Sequence, residues 1–180
     1  MADVFLDRDG VIIRSRRGYV TAWDEVEPLS GAFHAVRRLC QAGHRLMVFT
    51  NQSAVGRGLL RAKDLEEIHR RLSALVKVNG GEISRYFVCP HRPSDECSCR
   101  KPHPGMLLEA QATMGADLAS AFFVGDQLTD LEAAWAVGAT QPILVLSGET
   151  QVPPPRARSG YLVAPDLSAA ADLILGMAKR

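Results

Sequence analysis

Two carboxylates, Asp7 and Asp9, stand two residues apart in Val4-Phe5-Leu6-Asp7-Arg8-Asp9-Gly10. The apolar run before them reads as a short buried strand. Gly10 behind them permits a turn. The pair therefore sits where a strand stops and the chain opens toward a ligand. Like charges this close repel, so the pair calls for a cation or a shared proton. Taken alone, the bland reading is a strand ending in a solvated acidic turn. Three further groups change that balance. Thr50-Asn51 follows the apolar run Leu46-Met47-Val48-Phe49. Lys101 lies beyond Tyr86-Phe87-Val88, and Asp126 closes Ala121-Phe122-Phe123-Val124-Gly125, with Asp130 four residues on. In a parallel sheet all these strand ends project from one edge, where ligands bind.

The chemistry such a rim can do is phosphoryl transfer. Carboxylates suit a hard cation such as Mg²⁺, which prefers oxygen ligands. A hydroxyl, an amide and an ammonium can hold phosphate oxygens as charge shifts. One carboxylate can attack phosphorus and form an aspartyl-phosphate. A second, two residues away, can protonate the leaving group and then activate water.

Cys89, His91, Cys97 and Cys99 make another constellation. Three thiolates and an imidazole are enough to close a tetrahedral structural zinc site. Without an export signal, such clustering favours a metal over disulfides. A Cys89–Cys97 disulfide is the alternative, and it would leave Cys99 odd. The intervening Arg92-Pro93-Ser94-Asp95-Glu96 is too polar to fold itself by burial. Zinc would fix this loop, which ends one residue before Arg100-Lys101. The remaining cysteine, Cys40, reads as a small buried apolar residue.

The elements that must position these groups alternate. Strands are expected at Val4–Leu6, Arg45–Thr50, Tyr86–Val88, Ala121–Gly125, Ile143–Leu146 and Tyr161–Val163. Helices are expected from Ala32 to Cys40, Ala62 to Val78, Pro104 to Met114, Thr129 to Val137 and Ser168 to Ala178. Gly43, Asn79-Gly80-Gly81 and Gly138 are placed to stop helices, and Thr129 to cap one. In the long helix Leu65, Ile68, Leu72, Leu75 and Val76 share one face, and His69-Arg70-Arg71 reads as surface. Val11 to Pro28 reads as a loop or small flap, and Ser147 to Gly160 as an exposed loop. The strands are continuous apolar runs, which points to an α/β fold: a three-layer, doubly wound parallel sheet. The chain is expected to form one domain, residues 1–180, with no separate cap domain. The flap and the Cys/His loop must then cover the site together.

Composition excludes other classes. The 180 residues carry a formal net charge of +1, with 47% hydrophobic and 23% charged residues. That is ordinary for a soluble globular protein. It gives no global field for nucleic acid or an anionic membrane. No apolar stretch reaches the roughly 20 residues needed to span a bilayer, and no signal peptide is read at Met1-Ala2-Asp3. A cytoplasmic monomer is expected.

Asp7-x-Asp9-Gly10, Thr50-Asn51, Lys101-Pro102 and Gly125-Asp126-x-x-x-Asp130 resemble, in order, the four motifs of the haloacid dehalogenase-like (HAD-like) phosphatases. Each motif alone is common; together, across about 125 residues, they are specific. The resemblance implies a HAD-like Rossmannoid fold. It implies Asp7 as nucleophile and Asp9 as general acid/base. Asp7 and Asp126 would ligate Mg²⁺ by side chain and Asp9 through its backbone carbonyl. Thr50 and Lys101 would bind the transferring phosphoryl group, and Asp130 would support Lys101 or the metal's water shell.

The segment Cys89-Pro90-His91 through Cys97-Ser98-Cys99-Arg100-Lys101-Pro102-His103-Pro104-Gly105-Met106 narrows this. With Asp7-Arg8-Asp9-Gly10, Gly18-Tyr19-Val20 and Thr50-Asn51-Gln52-Ser53, it closely resembles the zinc-containing D-glycero-D-manno-heptose 1,7-bisphosphate 7-phosphatases. The implied reaction removes the C7 phosphate of a small phosphorylated sugar and leaves heptose 1-phosphate, a step toward nucleotide-activated heptose. Substrate contacts carried over are Gly18, Tyr19, Thr50, Asn51, Gln52, Ser53, Arg100 and Lys101. Arg14, Arg16 and Arg17 are basic residues that can reach a second phosphate or form a solvated flap. The chain differs from the family pattern at Ala54, Gly56 and Gln127. The closest rival is a histidinol-phosphate phosphatase with a similar zinc loop. A rival of another class is a non-catalytic, zinc-stabilised binding module.

Overall fold

The computed structural model describes residues 2–153 and 160–178. Among these residues six parallel strands form one sheet in the order β3-β2-β1-β4-β5-β6. They are β1 (Asp3–Leu6), β2 (Arg45–Asn51), β3 (Arg85–Cys89), β4 (Phe122–Gly125), β5 (Ile143–Val145) and β6 (Leu162–Ala164). Six α-helices accompany them: α1 (Ala32–Gln41), α2 (Ser53–Gly56), α3 (Ala62–Val78), α4 (Gly105–Met114), α5 (Leu128–Ala136) and α6 (Leu167–Met177).

The strands are apolar throughout because both faces of the sheet are covered. Side chains alternate across a strand. Val4, Leu6, Leu46 and Val48 accordingly pack with α1, α3 and α6 on one face. Phe5, Met47 and Phe49 pack with α4 and α5 on the other. There Phe5 stacks on Phe123 at 5.3 Å and meets Phe49 edge-on at 6.2 Å. The expected three-layer, doubly wound architecture is therefore present.

The strand order reverses direction between β1 and β4, which pair with Phe5 opposite Phe123. An open α/β sheet offers its ligand crevice at such a switch, beyond the carboxyl ends of the strands. Asp7 and Asp126 lie immediately beyond those two ends. The Asp7 N–H still donates to the Val124 carbonyl at 2.9 Å, so the first carboxylate is anchored to the ladder.

Local departures from the sequence reading have local causes. Ser53 opens a short helix, α2, that is not among the helices expected from the sequence. Helix α5 is capped by Asp130, whose Oδ2 accepts from the Gln127 N–H at 2.9 Å, so Thr129 lies inside it. The base of the flap is not solvated: Val11, Ile12 and Ile13 are fully buried. Ile13 bridges both Asp9 and Pro28, closing the flap as a loop on the sheet. His69 is buried, while its neighbours Arg70 and Arg71 are exposed. It falls four residues after Leu65, inside the arc that α3 turns to the core. Of the loop expected from Ser147 to Gly160, residues 154–159 lie outside the described residues. Among the described residues no helix is long and apolar enough to cross a membrane.

Candidate active site

The three carboxylates Asp7, Asp126 and Asp130 are all buried, and one oxygen of each lies within 4.8 Å of the others. Lys101 enters from beyond β3. Its ammonium sits 2.6 Å from Asp130 Oδ1 and 3.0 Å from Asp7 Oδ1. It also donates to the Phe49 carbonyl at 3.0 Å. Burial alone would depress the ammonium, but Asp130 and Asp7 outweigh it and the pKa is raised.

The acids are strained electrostatically. Burial, with Asp130 and Asp9 nearby, outweighs Lys101 and pushes Asp7 up to about 6. Burial, reinforced by Asp7 and Asp130, pushes Asp126 up to about 8. Asp126 Oδ2 accepts from the Glu149 N–H at 2.7 Å, whereas its buried Oδ1 has no hydrogen-bond partner. An orphaned buried carboxylate oxygen, beside a second carboxylate, fits a hard divalent cation. Gly10 shows how tightly this corner is built: with φ +78° it occupies the left-handed region, and a Cβ there would overlap the Asp126 carboxylate.

Asp9 points elsewhere. Its carboxylate accepts from Arg8 Nη2 at 2.9 and 3.1 Å, from Arg8 Nε at 3.2 Å and from Gln52 Nε2 at 2.8 Å. The same Gln52 amide donates to Thr50 Oγ1 at 2.9 Å. Thr50 is thus tied to Asp9 through one carboxamide.

A cavity of about 230 Å³ opens beside Asp9. The flap contributes Arg16, Gly18 and Tyr19, the junction of β2 and α2 contributes Asn51, Gln52 and Ser53, and the Cys/His loop contributes Pro93 and Arg100. Arg57 and Glu149 complete its rim. Ser53 Oγ and Tyr19 Oη lie 3.3 Å apart, joining the flap to α2. The expected substrate contacts therefore line one space, except the buried Thr50 and Lys101 beneath it. Arg14 turns away to Glu27, at 2.9 Å on the exposed surface.

Comparison with known proteins agrees with this geometry. The profile of the HAD-hydrolase-like family matches residues 98–170. The D-glycero-β-D-manno-heptose-1,7-bisphosphate 7-phosphatase of Pseudomonas aeruginosa is 43% identical over 96% of this chain and 97% of its own length. The enzyme of the same name from Pseudomonas putida is 44% identical over 81% and 83%. The crystal structure of D,D-heptose 1,7-bisphosphate phosphatase from B. bronchiseptica, complexed with magnesium and phosphate, superposes with a TM-score of 0.90. It is 37% identical and the match covers 98% of this chain and 99% of that one. The chain belongs to the heptose-1,7-bisphosphate 7-phosphatase family.

The Cys/His loop is the other constellation that marks the family resemblance. Cys89 Sγ lies 3.6 Å from both Cys97 Sγ and His91 Nδ1; Cys99 Sγ lies 3.5 Å from Cys97 Sγ and 3.2 Å from His91 Nδ1. A tetrahedron with metal–sulfur bonds of about 2.3 Å has edges of about 3.8 Å. The four donors are thus spaced for a closed zinc site, and the four cysteines of the chain are free thiols. A zinc held by all four would have no position left open for catalysis. The loop leads directly into Lys101, whose N–H donates to Asn51 Oδ1 at 3.1 Å.

Several residues of the site are not among those the sequence singled out. Arg8 sits inside the first motif, yet its spacing gave no hint that it is fully buried. His69 has exposed charged neighbours in sequence, yet it is buried. Glu149 follows β5 and joins Asp126 to the flap, accepting from Ser15 Oγ at 2.7 Å. The placement of His69 four residues after Leu65 was the available signal for its burial.

Proposed function

We propose that this chain is a Mg²⁺-dependent phosphatase that removes the C7 phosphate of D-glycero-β-D-manno-heptose 1,7-bisphosphate. The observation that carries the reading is the buried pair Asp7 and Asp126 at the switch point, with Lys101 against Asp7 and Asp9 facing the arginine-rimmed cavity. The names of the relatives supply the substrate and its β anomer.

Asp7 and Asp126 would hold Mg²⁺ by side chain, with the Asp9 carbonyl, and the ion would neutralise phosphate charge as it develops. The free oxygen of Asp7 attacks phosphorus in line with the ester oxygen. The P–O bond to C7 breaks, and the leaving alkoxide takes a proton from Asp9. Water then attacks the aspartyl-phosphate, giving its proton to Asp9. The P–O bond to Asp7 breaks and inorganic phosphate leaves. Lys101 and Thr50 meet the equatorial oxygens in both halves. The Cys₃His loop would hold zinc and position Arg100 and Lys101.

Arg16, Arg57 and Arg100 around the cavity support a second anionic group at the distal end of the substrate. They oppose the cationic amine of histidinol phosphate. Phosphate release from both heptose bisphosphate anomers and from histidinol phosphate, with Mg²⁺, tests the reading. The β anomer is expected to turn over fastest, with phosphorus NMR showing the C1 phosphate retained. Equal or faster hydrolysis of histidinol phosphate overturns the substrate, and no hydrolysis at all overturns the activity in favour of a binding module.

A further inference from the structure

His69, on α3, faces the back of the first motif. Arg8 Nη1 lies 3.1 Å from His69 Nε2. A guanidinium has only donors, so the imidazole must accept at Nε2 and carry its proton on Nδ1. Burial, with the Arg8 charge beside it, pushes His69 down to about 3 and keeps it neutral. The ring is further fixed by Tyr86, stacked at 4.2 Å and 10°. Ser73 Oγ lies 3.2 Å from Tyr86 Oη.

The other edge of the guanidinium carries the contacts that matter for Asp9. Arg8 Nη2 donates to Asp9 and, at 2.9 Å, to Gln52 Oε1. Arg8 is 1% exposed. Its Nε–Nη2 edge is held by Asp9 and Gln52, and the buried Nη1 must also find an acceptor or pull the guanidinium out of that alignment. His69 is that acceptor.

We propose that His69 is a positioning residue for the acid/base step: it holds the Arg8 guanidinium in the rotation that orients the Asp9 carboxylate. The inference rests on the reading of Asp9 as general acid/base. Its experimental signature is selective. Proton donation matters for an alkoxide leaving group and little for a nitrophenolate. Loss of Asp9 orientation should therefore lower kcat/KM for a sugar phosphate and spare kcat/KM for an activated aryl phosphate. For both substrates kcat should fall, because breakdown of the aspartyl-phosphate still needs a base.

The test compares heptose 1,7-bisphosphate with 2,4-dinitrophenyl phosphate in the Mg²⁺-loaded enzyme. His69→Phe keeps the stack on Tyr86 and removes the acceptor; His69→Met removes it with a differently shaped side chain. His69→Gln restores a carbonyl acceptor. The acceptor-free variants are expected to lose about 10-fold or more in kcat/KM for the sugar phosphate and less than about 3-fold for the aryl phosphate. His69→Gln should recover most of that loss. Equal losses on both substrates, no loss, or a His69→Gln as impaired as His69→Phe overturns the inference. Failure of His69→Gln to fold, by circular dichroism, while His69→Phe folds also overturns it, since stacking and not acceptance is then what His69 provides. Asp9→Asn separates the two levels: without leaving-group selectivity there, the acid/base reading of Asp9 itself fails.

Discussion

The Asn51 carboxamide holds the Lys101 peptide at both ends: Nδ2 donates to the Lys101 carbonyl at 3.2 Å, and Oδ1 accepts the Lys101 N–H at 3.1 Å. The last residue of β2 thus fixes a segment that lies beyond β3. The ammonium one side chain away then falls between Asp7 and Asp130. Asn51→Ala should free this segment and misplace the ammonium. A fall of about 10-fold or more in kcat is expected, with the fold retained, measured by steady-state phosphate release and circular dichroism.

Asp7→Asn leaves the shape of the crevice and removes the proposed nucleophile. Turnover should drop by at least about 10³-fold. Rapid quenching during wild-type turnover should trap an acid-stable phosphoenzyme, and the variant should show none. A phosphoenzyme in Asp7→Asn would move the nucleophile elsewhere.

Lys101→Met removes the cation held between Asp7 and Asp130. Breaking a buried ion pair from one side costs about 3–5 kcal/mol. The variant should therefore unfold at lower denaturant in Mg²⁺-free buffer and recover part of the loss when Mg²⁺ is added. Turnover should remain at least about 10²-fold down even with Mg²⁺ present. Full recovery of activity would show that Lys101 serves only to balance charge.

The pH dependence of the metal-free protein has a definite sign. Asp126, pushed up to about 8, holds a proton in the folded chain that it releases in the unfolded one. The folded state binds more protons over that range, so this contribution to stability is lost as pH rises through about 8. His69 acts oppositely, costing stability as pH falls below its ordinary range toward 3. The Cys97 thiol, lowered to about 7, also acts oppositely to Asp126 in the same range, so thermal unfolding between about pH 6.5 and 8.5 is compared with that of Asp126→Asn to separate the carboxylate. Stability should fall across that window in the metal-free protein, Mg²⁺ should raise it most at the alkaline end, and Asp126→Asn should flatten the slope. A slope unchanged in Asp126→Asn would assign it to other groups.

Metal analysis of protein purified without chelators should give about one zinc per chain. Cys97→Ser should lower the melting temperature by at least about 5 °C. The residual protein should raise KM and lower kcat together, because the loop carries both Arg100 to the cavity and Lys101 to Asp7. Zinc-free protein with unchanged stability would remove the metal from this loop.

The sequence by itself determined the sheet, the strand ends and the groups that stand on them. Val4-Phe5-Leu6, Leu46–Phe49 and Phe122–Val124 are apolar without interruption, and only a sheet covered on both faces buries such runs. Once the strands are parallel, chain direction alone sends Asp7, Asn51 and Asp126 to one rim. The Cys/His donors were equally legible, because eleven residues cannot carry them far apart. The tertiary structure decided how the polar side chains pair. Arg8 meets His69 across 61 residues of chain. Gln52 joins Thr50 to Asp9, and Asn51 spends both polar atoms on the Lys101 peptide. Hydrogen-bonding groups are interchangeable in type, so composition and spacing do not choose among the available partners. Packing chooses, by bringing one donor into hydrogen-bonding reach of one acceptor and excluding water from the rest. For the same reason His69 read as surface from its charged neighbours and proved buried once α3 lay over the back of the first motif.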